Sequence, residues 1–292
     1  MCLKRRTLIL GIPAFLASPA VAGDAALVPL REYERASGGH IGIYAKNISS
    51  GATFAWRAHD RFVMCSTVKA SLVAFVLSEI DRGHGDLDEM IHYSAADTGD
   101  LYAPVARANL SKGVLSVRDM CRAAVEVSDN VCCNLLLKRV GGPPVMTAFW
   151  RTIGDHVTRL DHPEPFLNRT RRGESYDTTT PAAMAENLRK FVVGDVLSAK
   201  SRAWFTELLI GCQTGGNRLR SGLPGNWVTG NKTGHNGRDA AGDIAVSWPD
   251  PRTPVVICVY TRGGAPTNAQ FDAVFAGAGR LVASHLVRER PG

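Results

Sequence analysis

From Val68 to Ile80 the chain reads VKASLVAFVLSEI, an apolar run too long for one strand and predicted as a buried helix. A lysine, Lys69, sits inside it, three residues after Ser66. Upstream, residues 24–38 place Leu and Ala on one helical face. HIGIYAKN (40–47) then alternates Ile41, Ile43 and Ala45, which predicts a strand, and ATFAWRA (52–58) follows a Ser-Ser-Gly turn, which predicts a hairpin. From 65 to about 211 the pattern is mostly helical, with segments at 66–80, 116–129, 130–141 and 180–194. Residues 155–179 are polar, contain proline and show no period, as expected of a functional loop. Strand patterns return at 227–234, 243–248 and 254–263, with Pro249-Asp250-Pro251 turning the last pair, before a final helix over 269–288.

Strands at both ends bracket a helical middle. The expected fold is mixed α/β (α+β): an antiparallel-sheet lobe from residues 23–60 and 212–292, with an inserted all-α lobe over 61–211. The site is expected in the cleft between them. The first 22 residues stand outside this scheme. Lys4-Arg5-Arg6, an apolar stretch from Leu8 to about Leu16, and Ala20-Val21-Ala22 form an export signal, with the paired arginines pointing to the twin-arginine route. The apolar stretch is too short for a permanent membrane anchor. A periplasmic or secreted protein is therefore expected, with a monomer as the default.

Composition changes little. The 292 residues are 45% hydrophobic and 21% charged, an ordinary globular mixture. The formal charge of +7 falls to about +4 once the three leader cations are subtracted. Only Arg169, Arg171 and Arg172 cluster, without interleaved aromatics, so a nucleic-acid partner is not expected. The seven cysteines include no C-x-x-C pair, which gives neither a zinc pattern nor a small-domain disulfide framework.

The lysine inside the apolar run points to chemistry. A buried ammonium is costly unless paired or used. Residues i and i+3 share a helix face, so Lys69 can touch Ser66, and an amine beside a hydroxyl can make a nucleophile. Two further polar clusters interrupt apolar segments. Ser128-Asp129-Asn130 lies at a helix junction, where all three residue types also cap well. Lys232-Thr233-Gly234 lies in the first C-terminal strand, where a lysine can simply protect an edge and a glycine permits close backbone approach.

Taken in order, S-x-x-K, S-D-N and K-T-G, spaced by about 60 and about 100 residues, resemble the penicilloyl-serine transferases, the penicillin-binding proteins and serine β-lactamases. The stretch HPEPFLN (162–168) makes the resemblance closer to class A β-lactamases, through Glu164 and Asn168 of an omega loop over 159–177. The resemblance covers roughly residues 25–288. It implies hydrolysis of β-lactams through an acyl-enzyme on Ser66. Lys69 or Glu164 would take the serine proton. Ser128 would relay a proton to the leaving nitrogen, and Glu164 with Asn168 would drive water onto the ester. Tyr102 would wall the cleft and Asn130 hold the substrate side-chain amide. Lys232, Thr233 and Arg218 would hold its carboxylate, with Gly234 allowing close approach. The N–H groups of Ser66 and His235 would form the oxyanion hole. Neither metal nor organic cofactor is implied. Arg218 takes the anchor role because the alternative arginine position on the next strand is Ala241; Arg220 is expected to be structural.

The chain also departs from the family pattern. Asp177 of the usual loop-pinning pair is present, but His162 replaces its arginine, which implies a weaker or pH-dependent latch. Cys65 lacks its usual partner at Asn236, and Cys121 faces Val73, so no disulfide is expected. Two other readings remain open at this level: a D,D-peptidase or penicillin-binding protein, and a non-enzymatic β-lactam sensor.

Overall fold

A computed structural model of the protein describes residues 27–171 and 173–287. The export signal and Cys2 lie outside the described residues. Strand His40–Asn47 pairs antiparallel with Thr53–Trp56 on one side and Val255–Arg262 on the other. Val255–Arg262 pairs with Ala241–Trp248, which pairs with Val228–His235 at the edge. Both ends of the chain thus build one five-stranded antiparallel sheet.

The period-2 pattern sorts side chains between two cores. Ile41, Ile43, Ala45, Val255, Ile257 and Val259 pack with Leu30, Phe271 and Phe275 of the terminal helices Val28–Ser37 and Asn268–Leu286. Val256, Cys258, Tyr260, Ile244 and Val246 face the helical body. A strand covered on both faces has no reason to alternate with polar residues, which is why VVICVYT is apolar nearly throughout.

The long apolar run forms the helix Val68–Asp81, and every residue from Val68 to Ser78 is buried. It is apolar all round because Val117–Glu126, Asn130–Arg139, Pro143–Thr152, Pro181–Val192 and Ala199–Ile210 all pack on it. Two expected boundaries move. Residues 65–67 form a single 3₁₀ turn, Cys65–Thr67, instead of the first α-helical turn. The helix expected over 116–129 ends at Glu126, because Ser128 takes the left-handed conformation (φ 62°) that terminates it.

The aperiodic stretch 155–179 carries only the short turn Phe166–Asn168 and the strand Thr178–Thr179, which pairs with Phe62–Val63. Among the described residues, no helix is long and apolar enough to cross a membrane. The six described cysteines are buried free thiols.

Candidate active site

Three separate segments converge on Ser66. The 3₁₀ turn puts Ser66 one turn before Lys69, and Lys69 Nζ reaches Ser66 Oγ at 3.0 Å. Lys69 is fully buried. Its ammonium also faces the Ser128 carbonyl at 2.9 Å, Ser128 Oγ at 3.2 Å, the Asn130 side-chain carbonyl, and Glu164 Oε1 at 3.2 Å.

The Ser-Asp-Asn junction divides its work among its members. Asp129 caps the helix Asn130–Arg139, accepting from the Cys132 N–H at 2.9 Å, and also accepts from the Val105 and Ala106 N–H groups. Ser128 and Asn130 point the other way, to Lys69. The left-handed backbone at Ser128 is what turns its hydroxyl back toward the helix Val68–Asp81, a strained conformation of the kind stored at functional sites.

The strand Val228–His235 closes the third side. Lys232 is fully buried and donates to Ser128 Oγ at 3.1 Å, so Ser128 stands between two ammonium groups. Burial, with the nearby Lys69 charge, pushes the Lys232 pKa down to about 8. Gly234 is required by close approach: a Cβ there would lie 2.8 Å from the Met64 carbonyl and 2.9 Å from the Ser66 nitrogen. What approaches it is the chain's own Ser66 turn. Thr233 Oγ1 bonds Thr214 Oγ1 at 2.6 Å.

Glu164 is buried beside the serine. Its Oε1 accepts from Ser66 Oγ at 3.2 Å and its Oε2 from Asn168 Nδ2 at 2.6 Å. The side-chain carbonyl of Asn168 is buried and makes no hydrogen bond to protein. Sequence reasoning missed Asn134. Its amide brackets the Glu164 backbone, accepting from the Glu164 N–H and donating to the Glu164 carbonyl, both at 2.9 Å. The available signal was spacing: Asn134 lies one helical turn after Asn130, on the same face of the helix.

The loop carrying Glu164 is held by polar contacts. Asp177 Oδ1 accepts from the Asp161 and His162 N–H groups at 2.7 and 2.9 Å, and Oδ2 faces His162 Nδ1 at 2.7 Å. Asp161 returns the bond by accepting from the Asp177 N–H, and the Asp177 carbonyl accepts from the Met64 N–H. The expected weakness of an Asp–His latch is thereby offset. Nδ1–H can donate to a carboxylate from neutral and charged imidazole alike, and two backbone donors share the load. His162→Ala is expected to cost about 1 kcal/mol, but Asp177→Ala about 3 kcal/mol because it strands three donors at once. Urea unfolding of both variants checks the ratio; equal losses would mean that the imidazole, not the backbone pair, holds the loop.

The remaining expected site residues lie at the rim. Tyr102 is 61% exposed and, with Leu101, Asn130 and Pro165, lines a cavity of about 350 Å³. Arg218 donates to the carbonyls of Gly234 at 3.0 Å and Gly242 at 3.3 Å, with its guanidinium 5.4 Å above the Phe275 ring. It therefore sits against the end of the strand that carries Lys232. Arg220 is turned to the chain's own groups, the carbonyls of Cys212 and Thr229 and the Asn231 side chain. The His235 ring packs edge-on to Phe271 at 5.1 Å, and burial and the Arg218 charge lower its pKa, favouring neutral imidazole. Among the described residues, no group of three His, Cys, Asp or Glu side chains could hold a metal.

The chain as a whole has close relatives. The model of the beta-lactamase enzyme family matches residues 28–286. Beta-lactamase AST-1 of Nocardia asteroides is 42% identical over 87% of this chain and 82% of its own length. The carbapenem-hydrolyzing beta-lactamase KPC of Klebsiella oxytoca is 40% identical over 88% of each. An ancestral class A beta-lactamase (GNCA) superposes with a TM-score of 0.85 at 44% identity, covering 89% of this chain and 99% of that one. A beta lactamase from Xanthomonas campestris superposes with a TM-score of 0.86 at 40% identity, covering 90% and 97%. The Ser66 turn, the Ser-Asp-Asn junction and the Glu164 loop are thus set in a fold shared over nearly its whole length, and the chain belongs to the β-lactamase enzyme family, in class A.

Proposed function

We propose that this enzyme opens β-lactam rings through an ester on Ser66, with Glu164 as the base for both acylation and deacylation. The observation that carries this reading is the bond from Ser66 Oγ to Glu164 Oε1 at 3.2 Å, beside a Lys69 Nζ that donates to Ser66 Oγ at 3.0 Å. Glu164 is the group placed to take the Ser66 proton.

Ser66 Oγ attacks the lactam carbonyl as its proton passes to Glu164. The oxyanion is held by the Ser66 and His235 N–H groups. The ring nitrogen takes a proton from Ser128, which takes one from Lys69, and Glu164 passes the Ser66 proton on to Lys69, so both return to their charged forms. A water between Glu164 and the free Asn168 carbonyl then attacks the ester. It gives a proton to Glu164, which passes it to Ser66 Oγ as the ester bond breaks. Lys232, Thr233 and Arg218 hold the substrate carboxylate, Asn130 its side-chain amide, and Tyr102 walls the cleft. The enzyme acts as a monomer in the periplasm or outside the cell, exported on its leader and not anchored in a membrane.

The test is rapid-quench mass spectrometry during penicillin hydrolysis. Steady turnover with little adduct, located on Ser66, supports the scheme. One turnover followed by a stable adduct would favour a penicillin-binding protein. Asn134→Ala, which frees the Glu164 backbone, is expected to slow deacylation about tenfold or more through lost positioning, with adduct now accumulating; unchanged turnover would remove Asn134 from the scheme.

A further inference from the structure

The scheme uses Lys232 and Arg218 but leaves unexplained a fully buried carboxylate beside them. Asp243 lies on the strand Ala241–Trp248, opposite Thr233, and is not exposed at all. Among the described residues, no cation touches it directly. Its Oδ1 accepts from the Asn231 amide at 2.9 Å, and its Oδ2 from the Leu219 N–H at 3.2 Å. Asn231 immediately precedes Lys232, and Leu219 immediately follows Arg218. One carboxylate therefore grips the chain next to each of the two cations. Asn231 is itself fixed from its other end by Arg220 Nη2 at 2.7 Å, so its amide is oriented with the NH₂ toward Asp243.

We propose that Asp243 is a positioning residue for the substrate-carboxylate site: it sets the placement of Lys232 and Arg218 and adds a negative charge that favours the ammonium form of Lys232. This rests on the roles given to those two cations above. Burying an unpaired carboxylate is costly, and its pKa is raised to about 6 by burial, against the pull of Asn231, Arg218 and Lys232. Above that value it is charged. An opposite charge nearby favours the protonated form of a lysine. The other groups facing the pair are few. Lys69 opposes the Lys232 charge, Glu164 supports it, the buried thiol of Cys212 lies beside it, and the thiol of Cys258 and phenol of Tyr260 lie near Asp243 and stay protonated through burial.

The experiment compares Asp243→Asn with wild type in penicillin hydrolysis from pH 5.5 to 9.5. Wild type is expected to lose kcat/KM through an alkaline limb near pH 8, where Lys232 loses its proton. Removing the Asp243 charge should move that limb about one pH unit toward acid. The loss at pH 8.5 is then about tenfold greater than the loss at pH 6.5, where only the weakened placement acts, and it is carried by KM more than kcat. Lys232→Arg should abolish the limb, because a guanidinium does not titrate in this range. Asp243→Thr, smaller and uncharged, carries the same expectation if the asparagine variant does not fold. A limb that stays in place in a folded variant, or a wild type with no alkaline limb between pH 7 and 9, overturns the inference. Absence of turnover in wild type at every pH would instead overturn the hydrolytic scheme.

Discussion

Glu164→Ala is expected to convert the enzyme into an acyl-enzyme trap. In the wild-type site, Glu164 is the acceptor facing Ser66 Oγ, and Asn168 fixes its second oxygen. Removing it takes the base from both steps, but not equally. Acylation keeps the nucleophile, the Lys69 ammonium at 3.0 Å and a strained ring as substrate. Deacylation must activate a water against an unstrained ester and keeps no comparable help. General-base catalysis contributes about 10²- to 10⁴-fold, so turnover should fall by at least that range. Intact protein quenched during turnover should carry a mass adduct on Ser66 that persists for minutes. Turnover within a few-fold of wild type would show that another group activates the water, and the reading of HPEPFLN would fail with it.

Lys69→Ala should strike acylation, and it should also weaken the fold. The sequence alone suggests a lysine that serves chemistry only. The structure argues otherwise, because the ammonium compensates a buried carboxylate and two buried carbonyls. Breaking a buried ion pair from one side costs about 3–5 kcal/mol, since the remaining charge is left unpaired. Acylation should drop by about 10²- to 10⁴-fold, as expected for loss of a preorganised charge beside the nucleophile. The two losses can be separated. Adding Glu164→Gln removes the stranded charge, so the double variant should recover part of the stability while remaining inactive. Denaturant unfolding of the single and double variants reads the loss and its recovery. A single variant as stable as wild type would mean that water reaches Glu164 and replaces the ammonium.

Within the sequence, local chemistry was legible and long-range placement was not. Ser66 and Lys69 are three residues apart, so helix geometry alone brings them together. The alternation Ile41, Ile43, Ala45 fixes which side of a strand packs inward, and the unbroken run Val68–Ile80 fixes a helix surrounded on every side. The order of the Ser-Asp-Asn and Lys-Thr-Gly clusters and the Glu164 segment carried the family resemblance, because each needs particular residue types in its own few positions.

Only the tertiary structure decided what those residues face. Asn134 supports Glu164 across thirty positions of sequence, and neither residue's neighbours reveal it. The His162–Asp177 latch looks weak when read as a pair and strong once the Asp161 and His162 N–H groups join it. Gly234 reads as room for a ligand, yet the nearest atoms belong to the Ser66 turn. Asp243 gave no sign at all, because a charged residue in an apolar strand is informative only when its burial and partners are known. The physical reason is common to all four. Hydrophobic periodicity and i+3 spacing are properties of short segments, set by backbone geometry. Hydrogen bonds and electrostatic fields depend on distance in space, and in this protein the distances that matter join segments that meet only when the sheet closes against the helices.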